Sequence, residues 1–132
     1  MDNNFQYYKF ILTQIQSFSV IVFVITFVLI FLNSDSNIFP INIAVLLGSI
    51  FLFHYYPGYY DIAQVKAPTL LPLFTGFDFI LHYIPVIYII GYKVYENTKT
   101  NYLLCMTILI SYILLFHSKI GNIYFEYDQY FS

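Results

Sequence analysis

The stretch FILTQIQSFSVIVFVITFVLIFLNS, residues 10–34, runs from Lys9 to Asp35 without one charged side chain. Two more windows read the same way: residues 36–60 between Asp35 and Asp61, and residues 100–118 between Lys99 and Lys119. A bilayer hydrocarbon core of about 30 Å needs about 20 apolar residues in helical form. The windows therefore predict an all-α, polytopic membrane protein. Strands compete for β-branched and aromatic residues, but a membrane barrel needs eight or more strands of alternating polarity, and these runs do not alternate.

Turn signals divide the windows into four expected transmembrane helices. The first covers about 15–32 and stops at Asn33-Ser34-Asp35-Ser36-Asn37, with Pro40 placed to start the next. The second covers about 41–56 and breaks at Pro57-Gly58. The third covers about 70–92 and contains Pro72, Asp78, His82 and Pro85; the fourth covers about 101–117. No repeat or long linker separates these helices, so residues 1–132 read as a single transmembrane helical domain. Four spans put both termini on one face of the membrane, the face that carries Lys9, Lys66 and Lys119 against Lys93 and Lys99 on the other. Tyr7, Tyr8, Tyr55, Tyr56, Tyr59, Tyr60, Tyr124, Tyr127 and Tyr130 fall at the expected span ends, where amphipathic rings meet headgroups.

Composition narrows the function classes. Of 132 residues, 60% are hydrophobic and only 9% charged, far below the roughly 25% of a soluble domain. All five basic residues are lysine and the net charge is −2, which argues against nucleic acid as a partner. A lone cysteine, Cys105, builds no disulfide framework. Isoleucine, phenylalanine, tyrosine and asparagine dominate while arginine and tryptophan are absent. That bias follows AT-rich codons and points to an organellar, AT-rich protist or viral coding genome. Met1-Asp2-Asn3-Asn4 lacks the basic start of a cleavable signal.

Ionisable groups inside lipid are costly and each needs a reason. Asp78 and His82 are four apart, on one face of the third helix, at an expected depth near mid-membrane. They fit a buried hydrogen-bonded pair, a proton relay or part of a metal site. His54 closes the second helix, and it and His117 are expected about two turns shallower than the pair, an awkward spread for a tetrahedral metal. Flanked by tyrosines, His54 reads as an interfacial anchor or as an axial haem ligand, with Gly58 opening space for a flat macrocycle. His117 reads as a cap on the fourth helix C-terminus.

The segment Tyr8-Lys9-Phe10-Ile11-Leu12-Thr13-Gln14-Ile15-Gln16-Ser17 resembles the N-terminus of the larger membrane anchor of succinate dehydrogenase, a cytochrome b family. Tyr8, Lys9, Leu12, Thr13 and Ser17 fall in register with it. Val20 and Ile21 stand where that family has His-Arg. His54-x-x-x-Gly58 resembles the family's haem-ligating H-x-x-x-G, with Asp61 nearer than the family's acid. The resemblance implies ubiquinone near Ser17, haem b on His54 as the metal ligand, and other membrane subunits of a mitochondrial inner-membrane respiratory complex as partners, with lipid around them. Two other readings stand beside it: a small intramembrane enzyme or transporter built on Asp78 and His82, and a structural membrane protein of organellar or viral origin.

Overall fold

Two asparagines end the longest apolar runs. In the computed structural model, which describes residues 16–55, 58–66 and 68–119, Asn33 and Asn97 are left-handed, with φ of 52° and 53°. Helix α1, Phe18–Phe31, closes as Asn33 N–H donates to Ile30 O and Ser34 N–H to Leu29 O, both at 3.0 Å. That is a Schellman stop with asparagine in the usual glycine place, and it satisfies carbonyls that lipid cannot. Helix α2, Phe39–His54, starts with Pro40 in its first turn, where a missing N–H costs nothing. A short helix α3, Tyr59–Lys66, and a 3₁₀ turn, Pro68–Leu70, lead into α4, Leu71–Glu96. Helix α5, Tyr102–Phe116, begins under Asn101, whose Oδ1 accepts from Leu104 N–H at 2.9 Å.

Strand β1, Ser36–Asn37, pairs in parallel with β2, Lys99–Thr100, in the register Ser36 to Lys99 and Asn37 to Thr100. This pairing brings the α1–α2 turn and the α4–α5 turn to the same end of the molecule. Val22, Ile38, Ile41, Val45, Cys105 and Ile108 form one core between α1, α2 and α5, flanked by Phe18, Ile25, Leu29 and Leu104. Helix α4 adds its own buried side chains, Pro85, Val86 and Ile89.

The mostly helical architecture agrees with the sequence reading, but the four membrane-length spans do not all appear. By length and composition, only α4, at 26 residues, is able to cross a standard bilayer among the described residues. The others have 14, 16 and 15 residues. Each comes out close to its expected bounds, and the turns and caps at Asn33, Ser34, Asn37 and Asn101 leave it no room to reach membrane length. Residues 59–66, read as part of a break, form a helix instead.

Candidate functional site

Pro85 sets the local geometry of α4. Without an N–H, and with a ring that crowds the preceding turn, proline cannot continue a regular ladder. The helix widens just before it into a π turn at Phe79–Tyr83, and Ile84 N–H reaches five residues back to Phe79 O. Asp78 leads into this turn and His82 lies within it. Their side chains meet, His82 Nδ1 to Asp78 Oδ1 at 2.7 Å, and each is about one-seventh exposed, at 14% and 15%. At this distance the imidazole and the carboxyl group share one hydrogen bond, within a single turn of the helix. Among the described residues, His82 Nε2 has no partner. The pair expected from the sequence is thus present. The π turn around it was announced by Pro85, since such widenings sit beside prolines and frequently mark functional sites.

The depth of this pair differs from the expectation. Lys93 Nζ lies 5.8 Å from the Phe39 ring centroid, which levels the start of α2 with that point of α4. From Phe39 to His54, and from Lys93 back to Asp78, the chain takes the same fifteen steps. At 1.5 Å per residue, both His54 and Asp78 lie about 22 Å from that level. Asp78 therefore lies toward the end of α2 that carries His54. The physical reason is that α4 begins at Leu71 and runs past the end of α2 before it reaches Asp78. Ser17 occupies the same end: Tyr92 Oη donates to Ser34 O at the top, and Ser17 lies one α1 length below.

His54 is exposed, in edge contact with Phe53 (centroids 5.1 Å apart, planes at 82°) and tilted against Tyr60 at 5.9 Å. Its contacts are thus with aromatic rings at the end of α2 and the start of α3. An iron held on His54 would lie at the outer surface of this chain and need its other axial ligand from elsewhere. Gly58 has a structural task of its own: φ is +77° and its N–H donates to Leu52 O at 3.0 Å, closing the loop after α2. Ser17 is 2% exposed and its hydroxyl shares a hydrogen bond with Ser19 at 3.1 Å. The resemblance segment before Gln16, and Pro57, lie outside the described residues. His117 caps α5, its Nδ1 being 3.2 Å from Leu114 O. Among the described residues, no three His, Cys, Asp or Glu side chains gather to hold a metal ion.

A second polar cluster escaped the sequence reading. Buried Asn42 donates to Thr26 Oγ1 at 2.9 Å and to Ile38 O at 3.1 Å, while Thr26 donates to Val22 O at 2.7 Å. Buried Asn37 donates to Thr98 Oγ1 at 3.1 Å and accepts from Phe39 N–H at 3.0 Å. The only available signal was that three asparagines, Asn33, Asn37 and Asn42, crowd one helix–turn–helix. The crevice beside them, lined by Ser36, Asn37, Ile38, Ile89 and Tyr92, is too tight for a water. The hydrogen bonds beside it tie neighbouring segments together.

A few polar side chains thus share the apolar interior, while many large apolar ones lie outside. Ser17, Thr26, Asn37, Asn42, Ser49 and Thr98 are all buried, whereas Phe31 is 86% exposed, Leu103 79% and Leu115 74%. Comparison with known protein families, with characterised proteins and with solved structures finds no match to this chain.

Proposed function

We propose that this chain is a small integral-membrane protein, with all four main helices embedded in the bilayer, that works as a non-catalytic subunit packed against other membrane subunits. The observation that carries the reading is the surface: large apolar side chains ring α1, α2, α4 and α5 outside a core that is itself mostly apolar. In water such patches drive association, whereas in lipid they are the required solvent-facing surface. With 9% charged residues, the chain has little with which to cover a soluble surface.

The specific form we propose is a succinate dehydrogenase-like anchor in the mitochondrial inner membrane, near a ubiquinone or haem b site. Its support is the resemblance over Tyr8–Ser17 and His54-x-x-x-Gly58, together with Ser17 and His54 lying at the same end of the molecule. The test is co-migration in a native gel with a large membrane complex, resistance to alkaline extraction, and a reduced-minus-oxidised spectrum of that complex. A monomer that leaves the membrane at alkaline pH refutes the reading.

One observation favours a second reading, an intramembrane enzyme or transporter that moves a proton. The Asp78–His82 pair sits at a π turn with an unpartnered Nε2. Asp78→Asn abolishes proton-coupled flux if that reading holds, and leaves the assembly of a packing subunit intact.

A further inference from the structure

The geometry points to a membrane partner of a particular kind: we propose that this chain is matched to a bilayer thinner than the standard one, with short acyl chains against its apolar belt. The proposal rests on the membrane reading above and adds a thickness to it. Each of the four helices carries two polar boundaries, and the boundaries agree. On α1 they are Ser17 and Asn33, enclosing a helix of 14 residues. On α2 they are Asn37 and His54, around a helix of 16 residues that ends on His54 itself. On α4, fourteen residues lie between Asp78 and Lys93, and His82, paired back to Asp78, is the only His, Asp, Glu or Lys among them. On α5, Asn101 and His117 enclose 15 residues.

At 1.5 Å per residue these spans measure about 21–24 Å, against about 30 Å for a typical hydrocarbon core. The ends of α1, α2 and α5 are not arbitrary. Asn33 closes a completed Schellman stop, Gly58 turns the chain back onto Leu52 O, Asn101 caps Leu104 N–H, and His117 approaches Leu114 O. Regular helix is therefore finished at each of these points, and its outer face between them is mostly apolar, the exposed Thr107 hydroxyl being returned to Leu103 O. Val24, Val28, Leu47, Phe51, Met106, Ile110 and Ile113 are all about half exposed or more. Helix α4 is longer than its neighbours, but the excess lies beyond Asp78, in Leu71–Phe77, alongside the 3₁₀ turn and α3. That segment would lie in the headgroup layer.

The slab also explains why Asp78 is tolerated. At the boundary of a thin core, a carboxyl paired with His82 meets water and headgroups, whereas in a core of standard thickness it sits further inside, at a higher cost. A bilayer too thick for the chain must thin locally, or bury backbone and polar ends, and each ångström of mismatch costs a fraction of a kcal/mol.

The test is reconstitution of the full chain into dimyristoleoyl, dioleoyl and dierucoyl phosphatidylcholine vesicles, followed by flotation and by thermal unfolding read from circular dichroism. The expected result is flotation with the vesicles, with the unfolding midpoint highest in the shortest lipid and falling by about 5–10 °C per step. A midpoint that is flat across the series, or that rises with chain length, overturns the thickness while leaving membrane insertion standing. Failure to float with any of the three lipids overturns the membrane reading itself.

Discussion

At the end where Asn37 meets Thr98, neighbouring segments are sewn together by a parallel strand pair, two buried asparagine networks and the Tyr92 hydroxyl on Ser34 O. At the opposite end, the hydroxyl of Ser17 bonds Ser19, His82 bonds Asp78 within one helix, and the His54 ring meets Tyr60 of the adjoining α3. Tyr112 ties α5 to the start of α1 there, donating to Gln16 O at 2.8 Å with its ring 5.0 Å from that of Phe18. The first end spends its polar groups on holding the helices together. The second keeps its titratable groups exposed or paired locally, which leaves them for chemistry or for a neighbouring subunit.

This contrast breaks if stability is not concentrated at the sewn end. Asn37→Ala removes the bond to Thr98 and the acceptor for Phe39 N–H, and leaves the 5%-exposed Thr98 hydroxyl without its partner. A loss of about 2–3 kcal/mol is expected, read as a shift in a detergent-titration unfolding curve. Asp78→Asn keeps the shape of the side chain but removes the charge assistance to His82, for an expected loss of about 1–2 kcal/mol in the same assay. If Asp78→Asn proves the more damaging of the two, the ranking of the two ends is inverted.

Two smaller substitutions sharpen the comparison within the looser end. Gly58→Ala has room for a methyl group, whose nearest neighbour would be Tyr55 O at 3.6 Å, but it must hold φ at +77°. The expected cost is therefore backbone strain alone, about 1 kcal/mol. His54→Ala removes an exposed ring with aromatic contacts only, and is expected to cost less than about 1 kcal/mol and leave the visible spectrum of the complex unchanged. Loss of a b-type absorption band in that variant would instead make His54 an axial ligand, since alanine offers iron no nitrogen.

The sequence disclosed the elements that depend on neighbours a few residues away. The turn at Asn33, the helix start at Pro40 and the cap at Asn101 are local events, and each carries its own residue signature. The Asp78–His82 contact was legible for the same reason, being a four-residue spacing on one helix. What was not legible depends on partners far along the chain. A two-residue pairing between Ser36–Asn37 and Lys99–Thr100 has no propensity signal, and its register is set by how the helices lie together. The relative depth of Asp78 and His54 required knowing that α4 begins below the end of α2. Helix α3 was missed because YYDIAQVK follows Pro57-Gly58, and the break hid the eight residues after it. Asn97 held the one neglected local clue, since a left-handed asparagine ends α4 at Glu96 as Asn33 ends α1.

The strand pair has a consequence for how the protein is made. Ser36 and Lys99 meet across more than sixty intervening residues, and Asn37 finds Thr98 only when α4 has already been threaded and turned. Closing so long a loop carries an entropic cost that grows only slowly with length, so the delay is one of sequence order more than of energy. While the ribosome is still delivering α4, the Asn37 amide and the open strand edge beside it are without those partners. A nascent chain interrupted before Thr98 would therefore display the mark of an unfinished molecule, and completion would erase it. The join that secures the mature protein is thus among the last contacts that synthesis permits.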